Sequence, residues 1–254
     1  MLSAINALCH PIISSVTQLG APVAVLDLFG FSAVIAFAIF ALERISASES
    51  AFEATRPLDK LILAAAVAAA FLPIGQLSGI AVFGLGLWLF FSSAPASRSR
   101  RIGVVLLALS GPLLWGQLAL SLYSDQILSW DARMVGAVAH SPVDGNIVRF
   151  IGRDKAFYIA PPCSSLSHLT LATLLWASIT QLLGRRVDRN SLFLCIAAML
   201  SVIVVNILRL AAIATYPDNF FTLHDGWLAQ LFGWTALAIA GGIVAAGSNR
   251  AARA

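Results

Sequence analysis

Charged side chains are scarce in this sequence. Asp, Glu, Lys and Arg make up 11% of its 254 residues, while 59% are hydrophobic. A soluble domain carries about 25% charged and 45–50% apolar residues, so an ordinary soluble domain is excluded. Cysteine is scarce as well. Cys9, Cys163 and Cys195 lack metal-ligand spacing and form no disulfide framework. A continuous basic stripe is also missing. The net charge of +4 comes from residues in short loops between apolar runs, which is not the footprint of nucleic-acid binding. No basic region precedes the first apolar stretch, which argues against a cleaved signal peptide.

What the chain has is apolar runs of roughly 18–25 residues, the length that crosses about 30 Å of hydrocarbon as a helix. They predict an all-α polytopic membrane protein, a bundle of about seven transmembrane helices in one integral membrane domain, 1–254. Spans are expected near 22–42, 61–75, 77–94, 102–123, 164–183, 191–215 and 227–247. Residues 1–123 form the N-terminal helices, and 163–247 hold the catalytic candidates. Within 1–20, Ile5, Leu8, Ile12, Val16 and Leu19 recur at helical steps and predict a short interfacial helix. Gly111-Pro112 predicts a kink inside the fourth span. The longest polar segment, 124–162, is expected to be extracytoplasmic. Ile127, Trp130, Met134 and Val138 suggest an amphipathic helix lying on the membrane. Asp144-Gly145-Asn146 reads as a turn, and a small hairpin is expected around Gly152-Arg153-Asp154-Lys155.

Lys and Arg set the orientation. Eleven of the sixteen fall in 43–60, 98–101, 184–190 and the C-terminal tail, all on one side of a seven-span chain. That side is expected to be cytoplasmic, with the N-terminus outside. In the outer segment Arg133, Arg149, Arg153 and Lys155 are balanced by Asp125, Asp131, Asp144 and Asp154.

This topology brings three polar groups to one face and similar depth. Cys163 sits at the outer end of the fifth span, Arg209 about six residues below the outer end of the sixth, and His224 just before the seventh. An arginine inside a span costs about 2.5–3.5 kcal/mol on insertion scales and usually marks a site, although near a helix end it can snorkel to the headgroups. Asn206, one turn earlier, lies on nearly the same face and can hold the guanidinium. Cys163 is open to two readings. Free cysteine commonly packs as a small hydrophobe, the reading that suits Cys195. A thiol following Pro161-Pro162, in the first turn of a helix, instead feels unpaired N–H groups that favour the thiolate. Ser167 and Thr170 would continue its face. His168, five residues on, points about 140° away from Cys163 on a helix. His224 can face the site, with Asp225 to orient it, or can be a solvated loop residue. His10 and His140 fall in interfacial segments, and Asp27 lies near the outer end of the first span.

Taken in order, Asp144-Gly145-Asn146-Ile147, Pro162-Cys163-Ser164-Ser165-Leu166, Asn206-Ile207-Leu208-Arg209 and His224 before Gly226-Trp227 resemble the exosortase/archaeosortase family over roughly 124–245. The ordered set is specific, whereas any one part is weak. The resemblance implies a membrane cysteine protease or transpeptidase with Cys163 as nucleophile and Arg209 and His224 as its partners. Asn206, Ser164, Ser165 and Asp225 become supporting or substrate-binding positions. It implies no cofactor and no metal. The implied partners are membrane-anchored proteins bearing a C-terminal sorting signal (a short motif, a transmembrane helix and a basic tail), the lipid bilayer, and a lipid or glycan acceptor. The implied location is the plasma membrane, with the site on its extracytoplasmic face. The family usually has Cys-Ser-Gly where this chain has Cys163-Ser164-Ser165, so altered substrate fit is expected at Ser165. The hairpin region 144–160 is expected to pair with the signal motif by strand addition.

Two readings compete with the peptidase. One is a non-enzymatic transporter or an assembly subunit for surface polysaccharide export, with Arg209 binding an anion and Cys163 packing. The other is a polysaccharide polymerase with an outer catalytic loop. In both, Cys163 is dispensable.

Overall fold

The computed structural model describes residues 33–47, 56–71, 75–95 and 97–250. The expectations for the N-terminal interfacial helix, the start of the first span, Cys9, His10 and Asp27 lie outside the described residues. The described chain is an all-α membrane protein apart from one small sheet. Among the described residues, Arg98–Ala139, Arg189–Thr215 and Trp227–Ser248 are long and apolar enough to cross a membrane, and Gln76–Ser92 is a shorter apolar helix. The chain forms two compact units, Met1–Trp115 with Ala177–Val187, and Gly116–Trp176 with Asp188–Ala254.

In the first unit α1 (Ala33–Ser46) buries Val34, Ala38, Ala41 and Ile45, one stripe at helical spacing. It is followed by α2 (Pro57–Phe71), α3 (Gly75–Ser92) and α4 (Arg98–Ser110). The closest packing is α3 on α4, made possible by missing side chains. A Cβ on Gly103 would sit 2.9 Å from the Phe90 backbone nitrogen, and one on Gly86 would sit 3.0 Å from that of Leu107. Small residues of this kind let helices approach where lipid supplies no hydrophobic drive. Gly111-Pro112 opens a π-helical turn, Gly111–Trp115, the distortion expected where proline removes a backbone donor.

The second unit contains α5 (Gly116–Ala139), three short strands, α6 (Ser165–Leu182, whose last turns belong to the first unit), α7 (Arg189–Thr215), the single-turn α8 (Phe220–His224) and α9 (Trp227–Arg250). Tyr123 leaves helical geometry inside α5 (φ −132°, ψ 26°), where the sequence changes from apolar span to amphipathic segment. The expected face of that segment is only half of its role. Trp130 and Val138 are indeed exposed, but α5 also packs an inner face of Leu128, Asp131, Ala132, Val135 and Ala139. His140 ends the helix with φ +52°.

The expected hairpin is one half of a three-stranded antiparallel sheet ordered β1 (Val143–Asp144), β2 (Ile147–Arg149), β3 (Ala156–Tyr158). Gly145 takes φ +58° in the first turn and Gly152 φ +71° in the second, a conformation glycine adopts without Cβ strain. Val148 and Phe157 alternate inward while their neighbours face out. Behind them lies one core, built by Leu128, Ala132 and Val135 of α5, Val148, Phe157 and Ile159 of the sheet region, and Leu210, Ile213 and Ala214 of α7. The sheet is thereby fixed on α5 and α7, and β3 runs directly into Pro161-Pro162-Cys163.

Candidate active site

The approach to Cys163 is fixed from both sides. Asn146 accepts the Ile159 N–H (2.9 Å) and donates its side-chain amide to the Ile159 carbonyl (3.1 Å). The Asp-Gly-Asn turn thus holds the end of β3, a role that a turn reading alone does not reveal. Pro161-Pro162-Cys163 forms one 3-10 turn, and Ser164 then turns extended (φ −70°, ψ 147°) before α6 begins. Ser164 Oγ accepts the Ser167 N–H at 3.3 Å, the N-cap of α6. This corrects the expected placement. Cys163 lies one residue ahead of the cap, outside the first helical turn. Ser167 and Thr170 therefore do not extend its face: Ser167 Oγ donates to the Pro161 carbonyl at 3.0 Å and Thr170 Oγ1 to that of Ser167 at 2.8 Å.

Ser165 is also placed differently from the expectation of a side chain beside substrate. Ser164 and Ser165 are 0% and 5% exposed, so both build the support of the turn and neither presents a surface to a peptide. The Ser165 N–H donates to Asp131 Oδ2 at 2.8 Å. Asp131 is itself only 2% exposed. Charge counting groups it with three loop aspartates, yet it is the carboxylate that secures the N-terminus of α6 from α5. Its signal in the sequence is its place in line with Leu128 and Val135 at i−3 and i+4 on the packed face. Asp131→Ala is expected to lower unfolding stability by about 1–3 kcal/mol, the cost of a buried N–H left without its acceptor. A thermal-unfolding midpoint unchanged from wild type would show that the contact carries no weight.

Cys163 meets both expected partners' helices. Its Sγ lies 3.7 Å from His224 Nε2, within sulfur hydrogen-bond range. On the far side of the ring, Asp225 Oδ1 is 2.8 Å from Nδ1, a close contact set off the N–H direction, since Nδ1 has no directed hydrogen-bond partner among the described residues. The ring is held by stacking on Phe220 (centroids 5.1 Å, planes 11° apart). Phe220 in turn packs edge-on against Phe150 and Phe157. The sheet core therefore orients the imidazole. Gly226 closes the turn after α8 through its N–H to the Phe221 carbonyl, and a Cβ there would meet the Thr222 backbone at 2.8 Å.

Arg209 reaches the cysteine through Asn206. Arg209 Nη2 donates to Asn206 Oδ1 (3.3 Å), and Asn206 Nδ2 donates to the Cys163 backbone carbonyl (2.9 Å). Asn206 is 3% exposed. The expected pairing of Asn206 with the guanidinium is present, and its second bond, to the cysteine itself, is an addition. Arg209 Nε is buried with no partner among the described residues. His168 is not related to Cys163 by helical spacing, since Cys163 lies outside α6, and its Nδ1 lies 3.0 Å from the Ser164 carbonyl. With Asn206, Arg209 and Phe232 it lines a cavity of about 30 Å³. Cys195 packs in α7 at 7% exposure, where burial pairs it with Met199 rather than with any reactive group. Among the described residues no cluster of His, Cys, Asp and Glu fits a metal.

The arrangement is chemically a thiol with an imidazole at hydrogen-bond range, a carboxylate behind the imidazole, and a guanidinium–amide pair fixing the thiol's backbone. The model for the family described as Transmembrane exosortase (Exosortase_EpsH) matches residues 20–246. No curated protein and no solved structure matches the chain.

Proposed function

The chain belongs to the transmembrane exosortase family, and from that premise and the geometry around Cys163 we propose that it is a membrane cysteine protease or transpeptidase cleaving C-terminal sorting signals. The observation that carries the reading is the 3.7 Å contact between Cys163 Sγ and His224 Nε2. Cys163 thiolate attacks the scissile carbonyl and a C–S bond forms. Arg209 stabilises the negative charge of the thiolate and of the developing oxyanion. The C–N bond then breaks, and the leaving amine takes its proton from His224, held by its stack on Phe220 with the Asp225 carboxylate beside Nδ1. Water, or an amine on a lipid or glycan carrier, attacks the thioester and returns the thiol. The reading takes the seven spans expected from the sequence, with the basic loops in the cytoplasm, so that the chemistry falls on the outer face of the plasma membrane, where an exported protein held by its C-terminal helix presents its signal. The test is processing of a tagged substrate in cells carrying Cys163→Ala. Processing at the normal rate would refute the proposal.

Substrate strand addition at β3 belongs to the same reading. Phe150 N–H bonds the Lys155 carbonyl and Ile159 N–H that of Asn146. With Val148 opposite Phe157, the backbone groups of Ala156 and Tyr158 then face away from β2. Both residues are exposed, and the strand leads to the nucleophile. An extended signal motif pairing there would be delivered along the chain toward Cys163. Tyr158→Pro removes one outward N–H at a position where an edge strand tolerates proline. The expected result is an apparent KM raised about tenfold, on the order of one lost hydrogen bond, with kcat little changed. An unaltered KM would rule out pairing at this edge.

A further inference from the structure

The first unit holds a cleft of about 230 Å³ whose lining includes Arg100, Arg101, Arg185, Arg186, Phe90 and Gln181. Four guanidinium groups face one space, and among the described residues none of them is paired with a carboxylate. Arg101 is the anchored member, its Nε donating to the Gln181 carbonyl at 3.0 Å. Arg100 lies over the Phe90 ring, 4.2 Å from its centroid. Arg185 follows Gly184, whose φ of +67° turns the chain out of α6. Asp188, the nearest acidic residue in sequence after these arginines, is engaged as the N-cap of α7.

The charges are placed against the local field. Arg98, Arg100 and Arg101 occupy the start of α4 behind the N-cap Ser97, and that turn contains no acidic residue. A helix N-terminus carries partial positive charge and disfavours cations. Like charges at a helix start and across a cleft of this size repel unless an anion lies between them. Arginine suits a phosphoryl group in particular, because its planar fork gives paired N–H donors to two oxygens. The cleft also lies where apolar helices end: α4 begins an apolar stretch at Arg98 and Phe90 lies in the last turn of α3. That is the depth of phospholipid headgroups, where basic pockets between spans recognise anionic lipids.

We propose that this cleft is a binding site for a phosphoryl group at the end of the first unit, with Arg100, Arg101, Arg185 and Arg186 as its donors. The site is separate from the cysteine chemistry and does not depend on it. Two sources supply such a group, the headgroup of an anionic phospholipid and soluble phosphate. The full-length protein is placed in nanodiscs of phosphatidylcholine alone, of phosphatidylcholine with phosphatidylglycerol, and of phosphatidylcholine with added inorganic phosphate. Thermal unfolding and lipid retention by native mass spectrometry are then measured. Arg100→Gln/Arg186→Gln leaves the Arg101–Gln181 bond intact, and Arg44→Gln, an exposed arginine of α1, controls for diffuse charge.

Stabilisation by phosphatidylglycerol, with affinity lowered roughly tenfold or more in the double variant and unchanged in Arg44→Gln, is the expected result and assigns a lipid headgroup. Stabilisation by inorganic phosphate with the same variant pattern supports the site and assigns a soluble ligand. No stabilisation by either, or equal losses in the double variant and in Arg44→Gln, would overturn it.

Discussion

Cys163→Ala is expected to abolish substrate processing, with a loss of about 10⁴-fold or more, because a covalent mechanism has no alternative once its nucleophile is removed. Cys163→Ser is expected to be nearly as inactive. A serine hydroxyl is a far weaker acid than a thiol, and the imidazole 3.7 Å away would have to remove a proton that the thiol gives up readily. Neither change should unfold the protein. Cys163 is half-exposed, and its backbone bonds, from its N–H to Ala160 and from Asn206 to its carbonyl, survive both substitutions. Pulse-chase of a tagged substrate checks the rate, and thermal unfolding checks that the fold is intact. The transporter and polymerase readings make the opposite forecast, since a packing cysteine accepts alanine or serine at small cost. His224→Ala separates the steps further. It should lower turnover by about 10²–10⁴-fold, the range for a positioned acid or base, while leaving the thiol present for alkylation.

The apolar helices are legible in the sequence because the bilayer sets their length. Spans expected at 191–215 and 227–247 are Arg189–Thr215 and Trp227–Arg250, and the early start of the first has a polar cause in its Asp188 cap. The Cys163–His224 pairing is legible only through topology plus the ordered motif, since 61 residues separate the two. What the sequence conceals is how the turn is built. A proline pair before a serine-rich run suggests that a helix begins at once, but Ser164 bonds the Ser167 N–H and takes the cap position for itself, leaving the cysteine just outside. Asp131 is hidden for a different reason. In a count of loop charges it resembles Asp125 or Asp154, and only the fold, which brings the first residue of α6 onto α5, places it against the Ser165 N–H. Asn206 is half visible: helical spacing gives its contact with Arg209, but its second bond runs to a residue 43 positions away.

Arg209→Ala is expected to lower turnover by about 10²–10³-fold, the usual effect of removing a donor aimed at developing charge. The structure offers a second route to the same loss, because the guanidinium also holds Asn206, and Asn206 holds the Cys163 carbonyl. The two routes respond differently to a paired set of variants. If Arg209 meets the oxyanion, Asn206→Ala loses less than Arg209→Ala, and Arg209→Lys recovers only part of the rate, because an ammonium supplies charge without the planar fork. If Arg209 acts by positioning Asn206 alone, the two alanine variants fall together. Single-turnover acylation of Cys163, followed by mass spectrometry of the thioester, isolates the step in question from release and transfer. An Arg209→Ala rate within about threefold of wild type, well short of the range for a lost oxyanion donor, would remove Arg209 from the chemistry. A half-buried arginine in α7 would then be left with a structural role, through Asn206, in shaping the turn that carries the thiol.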